Sequence, residues 1–432
     1  MRFTRLDDWL SWQESLNPAE IDLGLARVEQ VLSQAGLSPQ LNVPIITVAG
    51  TNGKGSVVAM LESIARSAGL KVCSYTSPHL FSYNERIRIN GQPVDDEMLC
   101  EAFEHIDQAR GDVSLTYFEF GTLAAIDIFS RADADLVILE VGLGGRLDAV
   151  NVMQPAVSVV TAIDIDHTDW LGSDRDSIAR EKAGIFRNGV VAVCGDPAPP
   201  PGLYEVAADT GAQLMLIGRD YTCPTSGDGW SLQSPFGNLP GLPLPALYGE
   251  FQRGNAATAI VALQALPGIA AASVFNPAVI GQGLQRCTLP GRFQQLRRQP
   301  QVRVDVAHNP QAARALAAML AQERRSAVAG KCYAVVAMLA DKDIEQVVDI
   351  IAPQVDAWWL AGLAQVARGL DESVLLKRIQ HTLSDAKLQP APTVESACEQ
   401  VMKVAGENDR VIVFGSFYTA AAAIGFYENY NG

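Results

Sequence analysis

Ala49-Gly-Thr-Asn-Gly-Lys-Gly-Ser56 brings together the residue types that hold a phosphate. Glycines let the main chain wrap closely around an anion, and a helix starting behind them offers N–H groups that no helical carbonyl takes up. Lys54 adds a positive charge suited to β- and γ-phosphates. The spacing departs from the common G-x-x-x-x-G-K-[ST] pattern, because Val48 stands where the first glycine would be. The loop is a shorter G-x-x-G-K-G-S. An ordinary glycine turn after a strand would not require Lys54 and Ser56 to fall where they do, so nucleotide binding is the expectation.

Three of the five histidines stand in polar, motif-like company: His79 in Thr76-Ser-Pro-His, His167 in Asp164-Ile-Asp-His and His308 in Asp305-Val-Ala-His-Asn-Pro. His105 and His381 fall in helical stretches and are read as structural. Glu140 closes an apolar run just ahead of Gly142-Leu-Gly-Gly-Arg-Leu-Asp148. Ligands of open α/β sheets sit beyond the carboxyl ends of strands, and Mg²⁺ takes hard oxygen donors beside phosphate and water. Glu140 is therefore read as a metal ligand rather than half of a structural ion pair. His167, taken alone, divides evenly between ligand and ordinary loop residue. Lys182, in Arg180-Glu-Lys-Ala-Gly184, reads from residue type as a solvated helix position. Arg292, Asp305 and Asn255 are placed to face the phosphate loop across a cleft between domains.

Such side chains need rigid supports. Apolar, β-branched runs at 45–49, 136–141, 157–163 and 189–194 predict buried strands, with a helix over 56–68. Continuous apolar strands separated by helices indicate a parallel sheet covered on both faces. From 196 to 249 glycine and proline recur every few residues, which predicts loops and short antiparallel strands at the sheet edge, closed by a helix over 255–266. After the Pro/Gly linker Thr288-Leu-Pro-Gly291, runs at 302–307, 333–339, 358–363 and 411–414 form a second alternating series. The expected fold class is α/β in two domains, 1–288 and 289–432, the smaller one Rossmann-like.

Composition narrows the function. The 33 Lys+Arg against 48 Asp+Glu leave a net charge of −15, which argues against a sequence-independent hold on nucleic acid or anionic membrane. Seven scattered cysteines without a C-x-x-C pair read as reduced thiols, and no apolar segment reaches membrane-spanning length. The N-terminus turns acidic too early for a signal peptide. A cytoplasmic protein is expected, and a monomer, since nothing signals a coiled coil or a long apolar seam. Any anionic substrate must then be held by local donors against an unfavourable global field.

Taken in order, Thr51-Asn-Gly-Lys-Gly-Ser, Thr76-Ser-Pro-His, Glu140-Val-Gly-Leu-Gly-Gly-Arg-Leu-Asp-Ala, Asp166-His, Glu181-Lys-Ala-Gly-Ile, Gly254-Asn-Ala, Pro290-Gly-Arg and Asp305-x-Ala-His-Asn resemble the Mur-ligase superfamily. The match runs from about residue 20 to the end of the chain. Ser-Pro-His and Gly-Gly-Arg-Leu-Asp point within it to the folylpolyglutamate synthase/dihydrofolate synthase branch, and the 49 residues before Gly50 are too few for the extra UDP-sugar domain of cell-wall ligases. Overall length and Asp22-Leu-Gly-Leu-Ala-Arg27 resemble the bifunctional bacterial members.

The resemblance implies roles. Thr51, Asn52, Gly53, Lys54, Gly55 and Ser56 would hold the ATP phosphates, with Asn255, Arg292 and Asp305 contacting ATP from the two sides of the cleft. Ser77, Glu140 and His167 would ligate Mg²⁺, and Lys182, as a carbamate, would hold a second ion, reversing the solvated-helix reading. Asp22, Leu23, Gly24, Leu25, Thr116, Tyr117, Phe118, Glu119, Leu147, Asp148 and Ala149 would line the pocket for the pteridine and aminobenzoate. Ala149-Val-Asn151 departs from the branch's usual Ala-Thr-Asn, which removes a hydroxyl from that pocket. A monovalent cation is left open as a further cofactor.

The implied reaction joins L-glutamate to dihydropteroate, or to the glutamate tail of a reduced folate, through an acyl phosphate, releasing ADP and phosphate. Lys54 would stabilise the transferring phosphoryl, and His308 is the candidate for orienting the glutamate amine or accepting its proton. Domain closure would exclude water from the intermediate. The rival readings are a related amide ligase with another acceptor and a nucleotide-driven switch, although the N-K-x-D signature of guanine-specific switches is absent.

Overall fold

Ile45-Ile-Thr-Val-Ala49 is mostly β-branched, which suits a strand with both faces covered. In the computed structural model this strand is buried at all five positions. The structure describes residues 1–17, 21–268, 276–326, 330–384 and 386–430. The chain divides into two compact units: Met1–Ala246 with Glu250–Thr288, and Leu247–Gly249 with Leu289–Gly432.

The first unit is built on β1 (Ile45–Ala49), β2 (Val72–Tyr75), β3 (Ile87–Ile89), β4 (Gln92–Pro93), β5 (Leu136–Glu140), β6 (Val157–Val160), β7 (Val191–Cys194) and β8 (Gln213–Leu216). Their order across the sheet is β4-β3-β2-β5-β1-β6-β7-β8. From β2 to β8 neighbouring strands run parallel, and β3 and β4 add an antiparallel edge. Val48 of β1 lies opposite Glu140 of β5 on one side and Val159 of β6 on the other. That register brings the carboxyl ends of three strands level, so the loops leaving them share one rim.

Helices cover both faces. Leu6–Leu16, Ala26–Gln34, Asp96–Arg110 and Tyr117–Arg131 enclose a core in which Trp9, Phe103 and Phe120 meet Ile45, Cys73, Tyr75 and Leu139. Helix Lys54–Ser67 packs on β1, β2 and β5 and is itself covered by helices Phe251–Gln264 and Pro277–Arg286. A further core lies around Val160, Ile178, Ala179, Ala192 and Leu203.

The stretch from 196 to 249 departs from expectation. It contains helix Pro201–Thr210, because proline in the first turn has no helical N–H to lose and its fixed φ suits helix initiation. The edge strand there, β8, is parallel to β7. The antiparallel strands β9 (Thr225–Ser226), β10 (Gly229–Ser234) and β11 (Gly237–Leu242) form a separate three-stranded sheet instead of extending the edge. The helix expected over 255–266 begins earlier, as Phe251–Gln264.

The second unit carries β12 (Gln294–Arg297), β13 (Gln301–Asp305), β14 (Cys332–Val336), β15 (Ala357–Ala361), β16 (Lys387–Ala391) and β17 (Arg410–Phe414) in the order β12-β13-β17-β14-β15-β16. All but β12 are parallel. The last strand in sequence sits between β13 and β14, so the connections diverge there, the kind of switch point at which α/β sheets bind ligands. Asp305 ends β13 at that place. Trp358, Phe414, Leu316 and Val347 anchor the core of this unit. Among the described residues no helix is long and apolar enough to cross a membrane.

Candidate functional site

The phosphate loop leaves β1 in the middle of the first sheet. Gly50 has φ +148°, and a Cβ on it would lie 1.8 Å from Thr161 Oγ1. Gly53 is left-handed at φ +95°, and a Cβ there would stand 3.1 Å from Asn255 Oδ1. The two glycines are thus fixed by conformation and by what crowds them. Clips from the loop after β6 hold the turn in place. Thr51 N donates to Ala162 O at 2.7 Å, Thr51 Oγ1 donates to Asp164 O at 2.9 Å, and Thr161 Oγ1 donates to Asn52 O at 2.8 Å. Asp196 anchors that second loop, accepting from Ile163 N at 2.7 Å and from Arg175 Nη2 at 3.0 Å.

Lys54 opens helix Lys54–Ser67 and folds back, its Nζ 3.0 Å from Gly50 O. Ser56 is buried and accepts from Gln252 Nε2 at 3.3 Å, while Asn255 Nδ2 donates to Gln252 Oε1 at 2.9 Å. Asn255 therefore belongs to the first unit, within its own phosphate loop's surroundings, and not to an opposing domain.

Glu140 ends β5 and is buried. The chain then turns through the glycine-rich loop toward the end of helix Arg175–Ala183. Arg146 N donates to Glu181 O at 2.8 Å, and a Cβ on Gly145 would come within 2.9 Å of the carbonyl oxygens of Glu181 and Lys182. This close approach covers Lys182, which is 3% exposed and not the solvated residue its type suggests. Burial, and then the charge of Lys54, pull the Lys182 ammonium down to about 7, against the opposing pull of Asp166 and Asp148. A buried amine of that basicity is substantially neutral, and so nucleophilic, at physiological pH.

Asp148 is buried as well, and desolvation lifts its carboxyl to about 6 despite N–H donors and Lys54. Its oxygens accept from Leu143 N at 2.8 Å and Val150 N at 3.0 Å, so it shapes the loop that also carries Leu147 and Ala149. Thr116 and Glu119 form a reciprocal cap on helix Tyr117–Arg131: Thr116 N donates to Glu119 Oε2 at 2.7 Å, and Glu119 N donates to Thr116 Oγ1 at 3.2 Å. Phe118 lies against Gly142, where a Cβ would meet its ring at 2.6 Å, and Tyr117 stands edge-on to Tyr83.

Ser77 follows β2 on the same rim. Its loop is held by Glu85, which accepts from the N–H groups of Leu80, Phe81 and Ser82, and by Arg86, whose Nε donates to His79 Nδ1 at 2.9 Å. Burial and the Arg86 charge hold His79 down at about 4, so the ring is neutral at physiological pH. His167 is exposed and left-handed at φ +53°, ahead of the short helix Thr168–Leu171. His105 lies in a helix, with its Nδ1 2.8 Å from Asp127 Oδ1, whereas His381 lies in a turn after helix Glu372–Ile379.

In the second unit Asp305 accepts from Phe293 N and Ala307 N, both at 2.8 Å, and so joins the two turns that carry Arg292 and His308. Burial raises its carboxyl, with Arg292 opposing. Arg292 stacks over Phe417 at 5.2 Å. His308 Nδ1 lies 2.8 Å from Val306 O. A carbonyl can only accept, so Nδ1 carries a proton in this contact.

Among the described residues no three His, Cys, Asp or Glu side chains gather into a ready metal cluster. The first unit instead offers a phosphate-shaped loop, a buried carboxylate and a buried amine on one rim. Sequence reasoning missed Thr161, Gln252 and Arg86, which support the motif residues from outside the motifs. Arg27 follows the Asp22–Leu25 segment, and its residue type alone assigns it no role there.

A model of the Mur ligase middle domain matches residues 48–196, and one of the Mur ligase glutamate ligase domain matches residues 291–417. An Escherichia coli protein named dihydrofolate synthase/folylpolyglutamate synthase is 42% identical over 416 residues, covering 96% of this chain and 94% of its own. The solved structure of E. coli FolC in complex with DHPP and ADP has a TM-score of 0.91 at 42% identity over 98% of both chains. A bifunctional folylpolyglutamate synthase/dihydrofolate synthase from Yersinia pestis, complexed with AMPPNP and Mn ion, has a TM-score of 0.88 at 44% identity over 98% of both chains.

Thr161→Val keeps the shape of the side chain and removes the hydroxyl that holds Asn52. Calorimetric titration with ADP is expected to show affinity weakened by about fivefold or more, in line with one lost hydrogen bond, in a variant that still unfolds cooperatively. Undiminished ADP affinity would show that the clip does not shape the loop.

Proposed function

The chain belongs to the dihydrofolate synthase/folylpolyglutamate synthase family of Mur ligases, and from that membership we propose that it is an ATP-dependent ligase adding L-glutamate to dihydropteroate and to the γ-carboxylate of reduced folates. The observation that carries the reading is the phosphate loop sharing one rim with buried Glu140 and with the Lys54–Lys182 pair of basic groups.

A carboxylate is a poor electrophile, so the acceptor must be activated first. Its oxygen attacks the γ-phosphorus of ATP, ADP leaves, and an acyl phosphate forms. The N–H groups opening helix Lys54–Ser67, together with Lys54, face the negative charge of the transferring phosphoryl. The glutamate amine then attacks the acyl carbon and expels inorganic phosphate. His308 is our candidate for orienting the amine or accepting its proton, and Arg292 and Asp305 are our candidates for nucleotide contacts from the second unit.

Ser77, Glu140, His167 and a carbamylated Lys182 would hold Mg²⁺, two ions in our reading, since a buried carboxylate on the phosphate-loop rim suits a hard cation. The ions would supply charge neutralisation at the phosphates. Residues 22–25, 116–119 and 147–149 would line the acceptor pocket. Seven unpaired cysteines support a reducing, cytoplasmic setting, and we read the enzyme as a monomer without nucleic-acid or membrane partners.

ADP release measured with dihydropteroate plus L-glutamate, and separately with a reduced folate plus L-glutamate, tests the function. Glutamate-dependent release is expected in both assays. Release in neither, or equal release without glutamate, would overturn the proposal.

The carbamate has its own signature. The neutral Lys182 amine adds to the carbon of CO₂ and gives up one proton, so modification follows the neutral fraction. Enzyme equilibrated with ¹³C-bicarbonate is expected to show a carbamate carbon resonance that strengthens as pH rises through about 7 and is missing in Lys182→Met. A spectrum identical for wild type and Lys182→Met would exclude it.

A further inference from the structure

Residues 22–25 form neither helix nor strand, and nothing lies within 4 Å of the point where a side chain on Gly24 would begin. Yet in the proposed pocket they stand beside 116–119, some ninety residues away in sequence. Arg27 links the two. Arg27 Nη1 pairs with Asp22 Oδ2 at 2.7 Å, and its Nη2 donates both to Asp22 O at 2.7 Å and to Glu119 Oε1 at 2.9 Å. The other oxygen of Glu119 is already committed to the helix cap through Thr116 N.

Both anchors are firm. Arg27 sits in helix Ala26–Gln34, which buries Val28, Val31 and Leu32, and Glu119 belongs to a helix buried along most of its length. A planar guanidinium can serve a backbone carbonyl and two carboxylates at once, which a lysine ammonium on a flexible stem does poorly.

We propose that Arg27 is a positioning residue for the pterin-bearing acceptor, holding residues 22–25 against 116–119 so that both halves of the pocket are formed before the acceptor arrives. The inference rests on the pocket assigned above. Order that is present beforehand need not be created on binding, so its loss falls on acceptor affinity. Arg27 touches neither the phosphate loop nor the groups assigned to ATP, so turnover at saturation is spared.

Steady-state kinetics of wild type, Arg27→Met, Arg27→Lys and Glu119→Gln test this, alongside direct titration with pteroate followed by protein fluorescence. Arg27→Met is expected to raise KM for dihydropteroate at least about tenfold, with kcat and the KM for ATP within about twofold of wild type. Arg27→Lys should fall between the two. Glu119→Gln, which retains a side chain able to cap the helix, should shift the same KM in the same direction. A wild-type dihydropteroate KM in Arg27→Met, or a matching decline in kcat and in ATP KM, would overturn the inference. If Arg27→Met does not fold, Arg27→Lys decides by the same criteria. Failure of the wild-type protein itself to bind pteroate would bring down the pocket assignment, and this inference with it.

Discussion

The close approach of two backbones at the end of β1 is the constraint on which the site depends. Gly50 passes so near Thr161 that one added carbon would lie 1.8 Å from the hydroxyl. That contact exists because β1 and β6 are adjacent parallel strands whose carboxyl ends are level. The loops leaving them must therefore turn together. Hydrogen bonds given in both directions between the two loops convert a flexible glycine-rich stretch into a fixed cradle in front of a helix N-terminus. Glu140, on the other side of β1, inherits its place from the same register.

The net charge of −15 is unfavourable for ATP, folate and glutamate, which are all anions. The structure answers locally. Lys54 and the N–H groups opening its helix face the anion, and the Lys54 charge joins burial in holding Lys182 largely neutral. A charge partly withdrawn from water, as Lys54 is, acts more strongly on a bound anion than exposed charges, which are screened within about 10 Å at ordinary ionic strength. Asp148 and Asp166 moderate the pair. The acidic excess over the rest of the chain favours solubility.

The loop chemistry was legible in the sequence because it depends on residue type: glycines where the chain must bend, lysine and serine where phosphate chemistry needs them. The parallel sheet was legible from its continuous apolar strands, and the ordered motifs pointed to the family that similarity to known proteins supports. Lys182 was not legible as a buried amine, since its burial is conferred by Gly145 arriving from another segment. Thr161 looked like the tail of an apolar strand; its hydroxyl matters only because β1 is next door. Helix Pro201–Thr210 was hidden by prolines that serve as well to start a helix as to break one. Thr116 and Glu119 had the spacing of a helix cap, and the structure gives them that job, linked through Arg27 to the N-terminal segment.

Activation of a carboxylate by phosphoryl transfer at the cradle is the step everything else serves. Dihydropteroate carrying ¹⁸O in its carboxyl group, turned over with ATP and L-glutamate, tests it directly by mass spectrometry of the phosphate released. The attacking carboxyl oxygen leaves with the phosphate, so each phosphate is predicted to carry one ¹⁸O from the acceptor. Phosphate free of the label, formed in step with product, would contradict the account.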